Sequence, residues 1–176
     1  MAKFDSALQF TLINEGGFVS NPLDRGHATN YGISTQTLSD FLARPATEED
    51  VKNITDAQVR IIYQAKYWSQ MQGDKLTYQA SATSLFDMSV LMGPRQAVKL
   101  AQRIVNAVDD GVMGPKTVSA VNARDSLNFV TALSLASARF FAGIVIKDNS
   151  QEVFLDGWLV RAYKMLTRFD SIGGKN

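Results

Sequence analysis

The sequence contains no cysteine and only one histidine, His27. A chain without cysteine forms no disulfide bond, offers no thiolate ligand to a metal and has no thiol nucleophile. A single histidine argues against a histidine-rich zinc site and against a Ser-His-Asp catalytic triad. We therefore expect no metal site in this protein.

Long apolar runs are missing as well. No run of 18 apolar residues is present, so the sequence predicts no membrane-spanning helix and no stable membrane insertion. The segment 1–18 contains Asp5 and Glu15 and has no small-residue cleavage site, which is unlike a secretory signal. We therefore expect synthesis in the cytoplasm without a signal peptide.

The composition is that of an ordinary globular domain. Of the 176 residues, 45% are hydrophobic and 20% are charged, and a chain of this length can build its own core. The formal net charge is +1, although residues 1–88 carry a net charge of −3 and residues 89–176 one of +4. A near-neutral total argues against a dedicated nucleic-acid-binding protein. We predict a single domain, 1–176, with no nucleic-acid partner.

Apolar residues recur at spacings of three and four along most of the chain, which predicts a mainly α-helical fold. The segment 18–33 interrupts this pattern, because it is rich in Gly, Asn, Asp and Pro, and it predicts a loop or small β-hairpin after the first helix. Capping-box patterns begin at Thr47 and Thr55. The predicted helices cover residues 4–15, with Gly16-Gly17 as the stop, and 35–43, 78–92, 95–108, 126–146 and 153–168, with shorter helices after Thr47, Thr55 and Pro115.

Glu15 lies at the end of the first predicted helix, and Asp24 and Thr29 follow in the irregular segment. The helix dipole and partial burial both disfavour a charged carboxylate at a helix C-terminus, and a general acid needs the protonated form. Asp24, in a polar loop, is expected to stay ionised, and Thr29 can orient a water or a sugar hydroxyl. Two carboxyl groups in different environments are the minimum for cleaving a glycosidic bond. Judged by spacing alone, a solvated surface carboxylate is the commoner situation for Glu15.

Six motifs, in order along the chain, add to the evidence from Glu15, Asp24 and Thr29. They are Glu-Gly-Gly-Phe at 15–18, Asn-Pro-Leu-Asp-Arg-Gly-His-Ala-Thr-Asn-Tyr-Gly-Ile-Ser at 21–34, Ile-Tyr-Gln-Ala-Lys-Tyr-Trp at 62–68, Phe-Asp at 86–87 with Gly-Pro at 93–94, Asp-Gly-Val-Met-Gly-Pro-Lys-Thr at 110–117, and Gly-Trp-Leu-Val-Arg at 157–161. Together they closely resemble glycoside hydrolase family 108, whose members are N-acetylmuramidases of phages and bacteria. The resemblance covers almost the whole chain.

This resemblance implies a lysozyme-like, two-lobed helical fold. It implies an N-terminal catalytic segment, 1–72, and a peptidoglycan-binding-type helical segment, 73–176, that completes the cleft. The implied activity is that of a lysozyme, which hydrolyses the β-1,4 bond between N-acetylmuramic acid and N-acetylglucosamine. The acidic catalyst of the family falls on Glu15, its second acidic position on Asp24 and its threonine on Thr29. No metal or organic cofactor is implied.

The resemblance also implies a biological role. The chain looks like a compact, monomeric endolysin of a phage or prophage that infects a Gram-negative host. Its expected partners are the glycan strands of periplasmic peptidoglycan and a holin-type protein that releases it from the cytoplasm. Two alternatives stay open, a lytic transglycosylase that uses the same glutamate and a peptidoglycan-binding protein without enzymatic activity.

Three further residues are candidates for substrate contact. Tyr31 can stack on a sugar ring or pack within the hairpin, and His27 is expected at the rim of the cleft. Asp87 lies in an apolar helix, where an unpaired carboxylate is costly to bury. It is therefore expected either to form a salt bridge within the core or to reach the cleft.

The last predicted helix is amphipathic and basic. Arg161, Lys164 and Arg168 are expected on a solvated face, with contact to an anionic wall polymer or membrane as the alternative. Trp68 and Trp158 are predicted to lie in the core.

Overall fold

The computed structural model describes residues 1–20 and 28–173. Within these ranges the chain forms mostly helices and one two-stranded antiparallel sheet, which confirms the predicted mainly helical fold with a small hairpin after the first helix. The elements are α1 (Phe4–Leu12), β1 (Thr29–Asn30), β2 (Ile33–Ser34), α2 (Thr35–Leu42), α3 (Glu48–Lys52), α4 (Asp56–Tyr63), α5 (Gln79–Met92), α6 (Pro94–Ile104), α7 (Pro115–Asn122), α8 (Ser126–Lys147) and α9 (Glu152–Thr167).

Short-range sequence signals set several of the helix starts. Both predicted capping boxes are present: the Thr47 and Asp50 side chains exchange hydrogen bonds with each other's backbone N–H groups, and Thr55 and Gln58 do the same. At the start of α8, the side chain of Asp125 accepts a hydrogen bond from the Asn128 N–H.

The helix predicted at 95–108 ends earlier, at Ile104. Asn106 adopts a left-handed conformation with φ of 55°, and the Ala107 N–H donates to the Gln102 carbonyl over 2.8 Å. This backward hydrogen bond is a common helix ending, and asparagine tolerates the left-handed conformation better than most residues do. The chain therefore leaves the helix and enters a loop that continues to Pro115.

Helix α5 lies at the centre of the core. Every residue from Ala80 to Ser89 is buried, and α5 contacts α1, α6 and α8. Trp68 is fully buried and meets Phe4 and Phe86 at ring-centroid distances of 5.6 and 5.7 Å, so its predicted core position is confirmed. Buried apolar residues from both predicted segments, 1–72 and 73–176, lie in one continuous cluster.

The β-hairpin is short and tightly held. Thr29 pairs with Ser34 and Asn30 with Ile33, while Val19 forms an isolated bridge with Thr29. The two turn residues, Tyr31 and Gly32, have φ of 50° and 67°, which is the geometry that suits the twist of a two-residue hairpin. The amide of Asn30 donates to the Val51 and Lys52 carbonyls, both at 3.1 Å. These bonds fasten the hairpin to the end of α3.

Helices α8 and α9 form an antiparallel pair. Trp158, half-buried on α9, stacks on Phe141 of α8 at a centroid distance of 5.1 Å. Among the described helices, α8 is long and apolar enough to cross a membrane by length and composition, with a mean hydropathy of 1.9. Helices of globular proteins also pass this test, and one third of this apolar stretch is buried, with α8 packed on α5 and α6.

Candidate active site

Glu15 lies three residues beyond the end of α1, in a turn rather than on the helix. The Asn14 N–H donates to the Thr11 carbonyl over 2.9 Å and the Glu15 N–H to the Leu12 carbonyl over 3.3 Å. These bonds continue the direction of α1 without adding a helical turn. The Glu15 side chain is only 14% exposed, so most of it is enclosed.

The enclosing group is Arg161 of α9. Its Nη1 donates to Glu15 Oε1 over 2.6 Å. The same guanidinium donates from Nε and Nη2 to the two carboxylate oxygens of Asp87, over 3.0 and 2.9 Å. The Asp87 side chain has no exposed surface, and Arg161 itself is 10% exposed. One cation thus holds two carboxyl groups that come from distant parts of the sequence.

The charges of this cluster are strongly coupled. Burial disfavours the charged guanidinium of Arg161, but the charges and hydrogen bonds of Asp87 and Glu15 outweigh burial and raise the pKa of Arg161. Burial, followed by the charge of Glu15, raises the pKa of the Tyr63 and Tyr67 hydroxyls. Arg161 is therefore permanently charged, and both tyrosines stay neutral in the physiological pH range.

The hairpin turn covers the other side of Glu15. A Cβ atom at Gly32 would lie 2.6 Å from Glu15 Oε2 and 3.4 Å from the Tyr63 hydroxyl, so the backbone approaches the carboxyl group more closely than any side chain would permit. The Tyr63 hydroxyl donates to the Tyr31 carbonyl over 2.7 Å and holds the turn in place. Gly32 and Tyr63 thus fix the hairpin against the carboxyl group.

A π-helical turn follows α4 and shapes this wall. It spans Gln64–Trp68, and the Ser69 N–H donates to the Gln64 carbonyl over 2.8 Å, one residue further back than in an α-helix. The turn places Tyr67 half-buried beside Tyr63, with a centroid distance of 5.4 Å, while Trp68 points into the core. Single π turns within helices often lie at functional sites.

Helix α9 makes a second contact with the residues after α1. Lys164 Nζ donates to Asn14 Oδ1 over 3.1 Å, one turn along α9 from Arg161. Two successive basic residues of α9 therefore bind two successive residues of the turn, Asn14 and Glu15. This double contact fixes the direction in which the Glu15 carboxyl group points.

The predicted site residues are placed as follows. Glu15 lies at the centre of the cluster, and Tyr31 and Thr29 belong to the hairpin that covers it, both half-buried. Asp87 forms the salt bridge that was one of its two expected roles, and substrate could reach its carboxylate only if the pair with Arg161 opened. Asp24 and His27 lie outside the described residues.

The expectation of a solvated face for Arg161 was wrong. Its guanidinium is buried between two carboxyl groups, whereas Arg168, which directly follows α9, is exposed. Sequence reasoning missed the pairing because the partners lie 74 and 146 residues away. The available signal was Asp87 itself, because a carboxylate in an apolar helix requires a buried cation.

The arrangement suits proton transfer by Glu15. Arg161 orients the Glu15 carboxyl group, which keeps a small exposed fraction. Asp87 accepts two hydrogen bonds from Arg161 and has no exposed side-chain surface, so Glu15 is the carboxyl group of the cluster that a substrate can reach. Among the described residues, no group of three or more His, Cys, Asp and Glu side chains is placed to hold a metal ion.

Comparisons with known proteins show which family the chain is similar to. A family model described as Glycosyl hydrolase 108 matches residues 8–93, and one described as Predicted Peptidoglycan domain matches residues 96–163. A solved structure described as "Structure of Brucella abortus SagA" has a TM-score of 0.82 and 30% sequence identity, and the match covers 98% of this chain and 97% of that one. A search of curated proteins gave no match. The Glu15–Arg161 ion pair joins the two matched regions.

Proposed function

The chain belongs to the glycosyl hydrolase 108 family and carries a peptidoglycan domain, and from this premise we propose that it is a muramidase. Family membership makes it a glycoside hydrolase that acts on peptidoglycan. The proposal adds the bond, which is the β-1,4 linkage between N-acetylmuramic acid and N-acetylglucosamine. The observation that carries it is the largely enclosed Glu15 side chain, whose carboxyl group is held by Arg161 and which keeps 14% of its surface exposed.

In this proposal Glu15 is the general acid. Cleavage of a glycosidic bond needs a proton on the leaving oxygen while positive charge develops on the sugar. Glu15 donates this proton, and the ionised Glu15 that results is stabilised by Arg161 at 2.6 Å. Asp87 is a positioning residue, because it fixes the guanidinium that orients Glu15.

Asp24 and Thr29 complete the proposed catalytic group. Asp24 stabilises the oxocarbenium-like transition state, or positions the attacking water together with Thr29. Tyr31 and His27 are proposed to contact the sugars, and Asp87 acts on the substrate only through Arg161. As the wider biological role we propose cell lysis by an endolysin that reaches periplasmic peptidoglycan with a holin-type partner.

Product analysis tests the proposed reaction. Purified peptidoglycan is incubated with the protein, and the released fragments are examined by mass spectrometry. A muramidase releases fragments with reducing N-acetylmuramic acid ends. Fragments lighter by one water, with 1,6-anhydro ends, would replace the hydrolase with a lytic transglycosylase. Binding to the wall without release of any fragment would overturn the enzymatic proposal.

A further inference from the structure

A cationic groove runs along α6, at residues that make none of the Glu15 contacts. Three adjoining depressions of about 450, 470 and 780 Å³ form it. Pro94 and Arg95 line both the first and the second depression, and Val112 lines both the second and the third. We call these depressions together the α6 groove.

The α6 groove carries a surplus of positive charge. Arg95, Lys99 and Arg103 recur at every fourth residue and therefore share one face of α6. Arg103 is neutralised by Asp109, whose Oδ2 lies 2.6 Å from Arg103 Nε. Within the described part of the chain, Arg95 and Lys99 have no carboxylate within 4 Å.

The third depression adds one charge of each sign, Lys116 and Asp110. The carboxylate of Asp110 accepts hydrogen bonds from the Val112 N–H and the Gln102 amide, both at 2.8 Å, and these bonds hold its pKa below the usual range. Asp110 is thus occupied in shaping the loop. The charge of Arg95 contributes to lowering the pKa of Asp110, and the hydrogen bond from Arg103, followed by the charge of Lys99, lowers the pKa of Asp109. Because neither Arg95 nor Lys99 is within ion-pair distance of these carboxylates, both remain available to a ligand, as does Lys116.

The loop beside these cations is built rigidly. The Gln102 side chain lies within it, donating to the Val112 carbonyl over 3.0 Å and accepting from the Gly111 N–H over 2.9 Å. Gly111 has φ of 79°, and a Cβ there would lie 2.5 Å from Arg95 Cγ. The loop backbone therefore packs directly on the stem of Arg95, which fixes this side chain before any ligand arrives.

Exposed apolar side chains lie between the charges. Val112 is 64% exposed and Val108 80% exposed, and both line the groove. A glycan strand offers hydroxyl and acetamido groups, which need no cations. The peptides attached to peptidoglycan strands offer carboxylates together with alanine methyl groups. The chemistry of the α6 groove matches the peptides and not the sugars.

We propose that the α6 groove binds the acidic peptide side chains of peptidoglycan while Glu15 acts on the glycan strand. The inference rests on the proposed function only for the identity of the polymer. The groove lies mostly within residues 96–163, which the Predicted Peptidoglycan domain matches. The proposal therefore assigns to this region both a ligand, the acidic peptides, and a binding site, the α6 groove.

Binding without cleavage tests the proposal. Glu15→Gln protein is sedimented with purified sacculi in two forms: untreated, and with the peptide carboxylates converted to methylamides. Untreated sacculi are expected to bind more tightly than the treated form, by about threefold to tenfold, as two exposed ion pairs supply. Equal binding to both forms would overturn the proposal.

Substitutions inside and outside the α6 groove test whether the groove causes the preference for untreated sacculi. Arg95→Gln with Lys99→Gln, in the Glu15→Gln background, is expected to lose the preference for untreated sacculi. Arg139→Gln, which removes an exposed arginine of α8 outside the groove, is expected to keep it. Retention of the preference by the double variant would place the peptide contact elsewhere. Because no cleavage is needed, a protein that failed to release fragments but kept this preference would refute the muramidase proposal and not the groove.

Discussion

Arg161 donates a 2.6 Å hydrogen bond to Glu15, although 146 positions separate the two residues. The bond joins the turn after α1 to α9. The same guanidinium also donates two hydrogen bonds to Asp87 in the central helix, α5. The candidate site is therefore assembled from the whole chain. Residues 1–72 lack both Asp87 and Arg161 and so cannot build it.

The first prediction concerns this bridge. Arg161→Gln leaves the fully buried Asp87 without its cation, which typically costs about 3–5 kcal/mol of unfolding free energy. The melting temperature should fall by roughly 10 °C. Activity should also fall at temperatures where the variant is folded, because Glu15 loses its orientation. The control is Arg168→Gln, which removes an exposed arginine directly after the same helix. An unchanged melting temperature for Arg161→Gln would contradict the buried pairing.

The second prediction concerns Gly32. Alanine at this position must adopt φ of 67°, which costs about 1–2 kcal/mol, and its Cβ would lie 2.6 Å from Glu15 Oε2. Gly32→Ala should therefore lower both the unfolding free energy and the rate of peptidoglycan cleavage. Chemical denaturation and a turbidity assay measure the two effects.

Gly157 supplies a matched control for Gly32. It lies on α9 with no atom within 4 Å of an added Cβ. Alanine is the better helix former, so Gly157→Ala should raise the unfolding free energy by about 0.5–1 kcal/mol and leave activity unchanged. Equal behaviour of the two alanine variants would mean that the hairpin turn does not press on Glu15.

The third prediction concerns pH. Burial, then the charge of Glu15, raises the pKa of Tyr63 above the value of 10.0 for an unperturbed tyrosine. Below about pH 10 the hydroxyl is neutral in both states. Above it the unfolded chain releases a proton that the folded chain retains, so the unfolding free energy falls as the pH rises, by up to about 1.4 kcal/mol per pH unit.

Tyr63→Phe should reduce this alkaline loss. It should also cost about 1 kcal/mol at neutral pH, because the hydrogen bond to the Tyr31 carbonyl disappears. Urea denaturation at pH 8 and pH 11 measures both effects, with Tyr163→Phe, an exposed tyrosine of α9, as the control. If wild type and Tyr63→Phe lose stability equally between these pH values, the hydroxyl is not the group responsible.

Local signals explain why much of the fold was predictable. The capping boxes at Thr47 and Thr55 mark helix starts through contacts within three residues. The Gly- and Asn-rich segment 18–33 predicted a loop or small hairpin, and the hairpin is present. The lysozyme-like, mainly helical fold expected from the sequence is confirmed. Spacing alone favoured a surface carboxylate at Glu15, and its catalytic role was predicted only from the six motifs that resemble glycoside hydrolase family 108; that role stays a prediction.

The ion pairs of Arg161 with Glu15 and Asp87 could not be predicted from local sequence signals. Arg161 occupies a helix whose other basic residues are partly or fully exposed, so periodicity placed it among them. Its true position depends on how α9 packs against α5 and the turn after α1, and no local pattern encodes that packing. The hydrogen bond between Tyr63 and the hairpin turn spans 32 residues and was missed for the same reason.

The catalytic role of Glu15 is the central claim, and one comparison tests it most directly. Wild-type and Glu15→Gln proteins are added to Gram-negative cells with permeabilised outer membranes, and the loss of turbidity is followed while circular dichroism confirms that both proteins are folded. Glutamine keeps the size of the side chain but supplies no acidic proton. The account predicts clearing by the wild type and a rate at least about 100-fold lower for the variant. Equal clearing by a folded Glu15→Gln protein would contradict it.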